Sequence, residues 1–483
     1  MDEAPDSSVQ SKRSSVVEPM GPAEAKDSDV AAPIFPEGGL QAWATVAGAF
    51  LIQFCGFGYA SSFGVYEDFC KQEYLTQSSL SAISSVTVLW IEVTSNNSMH
   101  RWIGSVGTFI VMSGGLVSGP LYDRGYFYHL VIGGSLLQSF SLFMLSLCKQ
   151  EQLYWIFLAQ GLGVGLGAGM TYVPTVAVVS HYFQKRRALA MSIVVAGTPM
   201  GALVHPIMLN NTLRGHLGFG NAVRASAGLV SGLLLIACLL MRPRLPPPAA
   251  GPPLWKTLKR FSRDGVYTLA VAGMTTFTVG FYFPVFYLQL DAVTHGVNQA
   301  LAFYSLVILN GSAFVGRLCM GFFAQRLGVI NMIIVATGCG AVLILIALKS
   351  AASVVVIGLI YGFWASACGR DAHCAGLAPV LVVLTENMGE FGLRMGFAFW
   401  FIGLSALCGP PINGALLTDR LVWWRPALFS GMMSFIGFCF LVAMAVAVRR
   451  RAAAQSKQEE DAFVGLESET SSRDEKPLAS PTK

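Results

Sequence analysis

Stretches of about twenty apolar residues recur along this chain between short polar breaks, and that rhythm decides most of what it can fold into. A helix rises about 1.5 Å per residue, so about twenty apolar residues match the hydrocarbon thickness of a bilayer. The runs fall near residues 40–66, 102–121, 127–147, 153–180, 187–209 and 219–241, then 265–290, 299–323, 330–348, 353–384, 393–417 and 426–448. Composition points the same way. Of 483 residues, 54% are hydrophobic and 12% charged, about half the charge of an ordinary soluble domain. Too little polar surface remains to coat a water-soluble globule. The chain reads as all-α, a polytopic membrane protein with twelve transmembrane helices.

The twelve divide as six, a break and six. The break, 242–264, carries Arg242, Arg244, Lys256, Lys259, Arg260 and Arg263 around Pro246-Pro247-Pro248. It reads as a basic cytoplasmic linker between an N-terminal half, 37–241, and a C-terminal half, 265–448. Lys and Arg in short loops mark the cytoplasmic face. Arg124, Lys185-Arg186-Arg187, the linker, Arg326 and Arg449-Arg450-Arg451 fall on one side; Glu67, Asp68, Glu73, Glu151 and Asp291 fall on the other. Both termini are therefore expected in the cytoplasm, with the plasma membrane as the expected location. The polar segments 1–36 and 449–483 read as disordered cytoplasmic tails.

Other classes find little support. The net charge of +5 is small and gives no nucleic-acid signal. Cysteines such as Cys55, Cys238, Cys319 and Cys339 lie inside apolar runs, as small buried side chains rather than a disulfide framework. Cys368, His373 and Cys374 match no metal-ligand template. Gly161, Gly163, Gly165, Gly167 and Gly169 lack the strand and Lys-Ser or Lys-Thr of a phosphate loop, and read as close helix packing. No convergent catalytic cluster appears. Neither an enzyme, a metal nor a cofactor is expected.

The halves echo one another. Gly119-Pro-Leu-Tyr-Asp123-Arg124-Gly125 follows span two, and Gly321-Phe-Phe-Ala-Gln325-Arg326-Leu-Gly328 follows span eight. A turn repeated at the same place in each half suggests duplicated halves that rock against each other. This layout resembles the major facilitator superfamily, in which the acidic–arginine turn helps latch the halves. The resemblance implies gating roles for Asp123, Arg124 and Arg326, although Gln325 replaces the acid in the second copy. A closer resemblance rests on Glu37-Gly38-Gly39-Leu40-Gln41-Ala42-Trp43 and on Tyr182-Phe183-Gln184-Lys185-Arg186-Arg187-Ala188-Leu189-Ala190. Both are similar to signature stretches of the monocarboxylate transporter family, in the form of its fungal branch. Read as residues, Trp43 suits the headgroup level and Lys185-Arg186-Arg187 the anionic leaflet, so topology and anchoring explain both stretches.

An ionisable side chain deep in a span is costly unless it faces a cavity. Arg317 is the foremost such residue, and Asn310, Ala313, Phe314, Arg317 and Gly321 share one helical face. A guanidinium grips a carboxylate through two parallel hydrogen bonds, and the resemblance implies that role for Arg317. Gln53 and Tyr282 are further candidate cavity residues, with Gln160, His205, Thr275, Thr276, Gln289 and Trp400 behind them. Two departures bear on mechanism. Ala313 stands where proton-coupled mammalian members of the family carry an aspartate, and Ser61 follows Tyr59-Ala60 where they carry a lysine. Residues 86–101 and 368–374 also exceed the family pattern, as insertions or gene-model errors.

The expected function is a secondary carrier of a monocarboxylate or other carboxylate-bearing metabolite, working by alternating access as a symporter or uniporter. The alternative is a transporter-like nutrient sensor that binds solute without net transport. The implied partners are a small-molecule substrate and membrane lipid; an accessory membrane subunit is left open.

Overall fold

The computed structural model describes residues 36–60, 103–148, 155, 157–213, 218–244, 254–344, 351–365, 378–385, 388–417 and 422–474. The apolar runs become helices. In the N-terminal half these are α1 (Leu40–Cys55, resuming as Phe57–Ala60), α2 (Ile103–Asp123), α3 (Phe127–Leu145), α4 (Gly165–Ala177, entered through a π-helical stretch, Phe157–Val164), α5 (Arg187–Leu213) and α6 (Gly218–Leu240). The C-terminal half supplies α7 (Gly265–Thr294), α8 (Gln299–Leu327), α9 (Val329–Leu343), α10 (Ala351–Ala365), α11 (Phe391–Leu417) and α12 (Trp424–Asp474). Among the described residues nine helices are long and apolar enough to cross a membrane, and α9 and α10 are shorter apolar helices. With α2, the expected twelve are present.

Local chemistry sets the helix ends. Asp264 accepts from the Val266 amide at 3.2 Å and opens α7; Asn298 accepts from the Ala300 amide at 2.9 Å and opens α8. The two echoing turns each end on a glycine in the left-handed region, Gly125 at φ 89° and Gly328 at φ 83°, where a Cβ is disfavoured.

The structure departs from the sequence reading in four places. First, α12 runs on to Asp474, so 449–474 is helical rather than a disordered tail. That stretch is dense in Ala, Gln, Glu, Lys and Arg, which propagate a helix in water. Second, the linker contains a helix, Leu254–Arg263. Third, α1 is interrupted at Gly56, where Cys55 turns its carbonyl to the Gln138 side chain at 2.7 Å. Fourth, the long run 353–384 divides into α10 and a short helix, Ala378–Val383. The expected insertions at 86–101 and 368–374, and the tail 1–35, lie outside the described residues.

Glycine governs how the helices meet. Gly115 and Gly119 on α2 face Gly396 and Gly392 on α11, across the two halves. A Cβ on Gly392 would stand 2.6 Å from the Gly119 carbonyl oxygen, and one on Gly396 or Gly119 would overlap the opposing backbone. The second crossing pair is α5 with α8, where a Cβ on Gly321 would overlap the Ser192 side chain. Inside the N-terminal half, Gly58 meets Gly201, Gly114 meets Gly169, and Gly134 meets Gly167. The span-four glycines Gly167 and Gly169 thus serve close packing. These three inter-half contacts, Gly115–Gly396, Gly119–Gly392 and Gly321–Ser192, lie toward the helix ends on the linker side, and the halves meet there.

Gly396→Val should hold α2 and α11 apart at this face. Pulsed EPR between spin labels at exposed Tyr126 and Leu327 should then report a longer distance than in the unsubstituted protein. An unchanged distance distribution would show that the glycine seam does not set closure.

Candidate functional site

The interior charge sits on the seam between the halves. Arg317, on α8, is 3% exposed, and its Nη1 donates to the Val195 carbonyl of α5 at 2.6 Å. One turn later Gly321 allows α8 to approach Ser192, which brings the guanidinium within reach of the α5 backbone. Arg317 therefore does not snorkel to the interface; it crosses from one half to the other. Ala313, a turn before it, is buried. Phe314 is half-buried, and Asn310 spends its amide on the Leu306 carbonyl of its own helix at 2.8 Å. Tyr282 is buried on α7 with its ring edge-on to Phe281. Thr275 and Thr276 return their hydroxyls to their own helix.

Gln53 belongs to a different cluster, inside the N-terminal half. Its Nε2 donates to Thr175 Oγ1 at 3.2 Å, next to the α1 interruption. His205 of α5 lies against that interruption, with ring centroids 4.6 Å from Phe54 and 5.2 Å from Tyr59. Gln160, in the π-helical entry to α4, is buried, and its amide has no hydrogen-bond partner among the described residues. The sequence candidates thus form two groups, one around Arg317 and one around Gln53.

The signature stretches meet at the linker face. The Glu37 carboxylate accepts from the backbone amides of Gln184, Lys185 and Arg186 at 2.8, 2.6 and 3.2 Å. The Glu37 amide donates to the Tyr182 carbonyl, and Trp43 packs edge-on against Phe183 with centroids 5.3 Å apart. To aim its carboxylate, Glu37 adopts φ 53°, followed by Gly38 and Gly39 at φ 157° and 96°. Burial works against the charged form, but three backbone amides and the Lys185 ammonium hold the Glu37 carboxyl below its ordinary value. Tyr182 donates to the Arg242 carbonyl at 2.7 Å, and Arg187 Nε to the Phe183 carbonyl at 2.8 Å. The side chains of Lys185 and Arg186 are exposed.

The repeated turns behave differently. Asp123 accepts from the Gly392 amide at 2.9 Å and the Leu393 amide at 2.7 Å, which caps α11 from the other half. Arg124 is exposed. Arg326 is also exposed and lies over the Phe322 ring of its own helix at 5.2 Å. The sequence reading missed Glu390 and Arg394, which flank the capped amides, and Gln138, which holds the α1 interruption. Paired glycines four apart on α2 and α11 were the available signal for this seam.

With this geometry in hand, the likenesses are informative. Residues 46–389 match the model of the Major Facilitator Superfamily. The aspyridones efflux protein of Emericella nidulans is 34% identical over 430 residues, 88% of this chain and 81% of that protein. The fujikurins efflux protein of Gibberella fujikuroi is 31% identical over 412 residues, 84% of this chain and 83% of its own length. The crystal structure of the human organic anion transporter MFSD10 (TETRAN) superposes with a TM-score of 0.60 at 13% identity, covering 83% of this chain and 98% of that one.

Glu37→Ala should lower the midpoint of thermal unfolding in detergent, at a cost of about 1 kcal/mol for a lost, partly solvated cap. The sign with pH follows from the lowered carboxyl. The cap contributes fully above the ordinary value of 4.5 and fades as pH falls through the lower folded one. Parent and variant curves should therefore converge in acid, and a gap that persists there would count against a charge-based cap.

Proposed function

The chain belongs to the Major Facilitator Superfamily, and on that premise we propose that it exports a carboxylate-bearing organic metabolite, with Arg317 as the anion's contact. Membership makes it a secondary transporter. The substrate class, the direction and the role of Arg317 are our reading.

The observation that carries the reading is the buried Arg317 guanidinium on the α5–α8 seam. Placing such a charge at the centre of a bilayer-spanning helix costs about 2.5–3.5 kcal/mol on insertion scales. The Val195 carbonyl accepts one of its hydrogen bonds, and a guanidinium can grip a carboxylate through two parallel bonds. In alternating access α5 and α8 must part, which breaks the Arg317–Val195 bond and turns the donor toward solute. Relatives of 31–34% identity that are named efflux proteins support export. The Glu37–Trp43 and Tyr182–Ala190 stretches support the finer placement in the monocarboxylate branch. The Lys and Arg bias supports a cytoplasmic linker face. Ala313 and Ser61 argue against the usual proton partners of that branch, so the reading does not include lactate-type symport.

Reconstituted vesicles loaded with labelled carboxylates, or with their uncharged methyl amides, test this, with and without a pH gradient. The acids should move and the amides should not. Arg317→Gln should lower acid flux by about tenfold or more, the loss expected for one charge-assisted hydrogen bond, while Arg317→Lys keeps part of it. Equal flux of acid and amide, or full flux in Arg317→Gln, would sink the anion site.

A further inference from the structure

The linker helix Leu254–Arg263 presents two faces with different tasks. Thr257 and Phe261 are buried and Leu258 packs against the core, whereas Trp255, Lys256, Lys259, Arg260, Ser262 and Arg263 are exposed. At 3.6 residues per turn, Lys256, Lys259 and Arg263 fall in one arc of the helix. Trp255, 79% exposed, stands at the rim of that arc. The helix is tethered to the membrane on both sides, since α6 ends at Leu240 and α7 begins at Gly265. Only Asp264 separates Arg263 from α7, so the helix stays beside the membrane surface, where indole rings and basic side chains are favoured.

The helix is clamped to the start of α11. Arg260 forms an ion pair with Glu390. The Arg394 guanidinium lies over the Phe261 ring at 4.6 Å and over the Tyr267 ring at 5.6 Å, and Tyr267 donates to the Arg394 carbonyl at 2.7 Å. Glu390 and Arg394 bracket Gly392 and Leu393, the two residues whose amides Asp123 holds across the seam. The path from headgroup to seam is therefore one helix thick.

We propose that the basic face of the linker helix docks on anionic lipid headgroups, and that this docking favours closure of the two halves at the linker face. Charge complementarity selects this occupant: each basic residue at an anionic surface adds roughly fivefold to binding, so three together add roughly a hundredfold. Arg260, 61% exposed, pairs only weakly with Glu390 by itself. A helix fixed against the leaflet holds that pair in place. The rival occupant is the acidic stretch of this same chain beyond residue 458. The proposal does not depend on the substrate or on Arg317.

The test uses the full chain in nanodiscs of phosphatidylcholine, alone or mixed with phosphatidylserine. Hydrogen–deuterium exchange of the peptide containing Gly392 and Leu393 reads the seam directly. Exchange should be several-fold slower with phosphatidylserine. The triple variant Lys256→Gln, Lys259→Gln, Arg263→Gln should lose that response, and Lys256→Arg with Lys259→Arg should keep it. Asp123→Ala should speed exchange in both lipids, which ties the readout to the seam. Equal exchange in the two lipids, or a full response in the triple variant, would overturn the proposal. So would a response that appears only after residues beyond 458 are removed, because the acidic stretch would then be the occupant.

Discussion

Helices in lipid are not driven together by the hydrophobic effect, because acyl chains are as apolar as leucine. What remains is close packing of backbone on backbone, and this chain obtains it with glycine. Gly115 and Gly119 against Gly396 and Gly392 bring α2 and α11 to a separation that no side chain would permit. The same device lets α8 approach α5 at Gly321, and only that approach lets Arg317 reach the Val195 carbonyl. At these glycines backbone lies on backbone, with no side chains to unthread, while Phe399 of α11 packs on Tyr172 of α4 farther along the seam.

The polar contacts are laid on that seam rather than building it. Asp123 caps α11 only because the glycines have already set the approach. Glu37 acts within one half, where its carboxylate gathers three consecutive amides and fixes the turn from which α5 departs. The signature stretches are therefore a structural clasp at the linker face, while the interior charge and the buried amide of Gln160 lie elsewhere.

Much of the fold was legible in sequence because bilayer thickness imposes a length that composition reveals. The expected spans and the described helices agree closely from α2 to α9. The interruption at Gly56 was not legible, since Phe54-Cys55-Gly56-Phe57-Gly58 is continuous in hydrophobicity and its acceptor is met by Gln138 from a distant helix. Charge misled the reading at 449–474, where polarity was equated with disorder although those residues are strong helix formers. At the site, Arg317 stood out because charge in an apolar run is conspicuous. Its reach to Val195 did not, because pairing between helices leaves no trace in the order of residues. For the same reason Glu37 stood out as part of a signature stretch but not as the acceptor for the amides of 184–186.

The two repeated turns differ in one respect that bears on how the molecule cycles. Asp123 crosses to the other half, whereas Gln325 and Arg326 remain exposed on their own. The pseudo-symmetry of the halves is thus broken, and the two facing states are not energetic mirror images. A carrier biased in this way spends unequal dwell times on the two sides of the membrane. Escape from the longer-lived state is then the slower of the two conformational steps in each turnover.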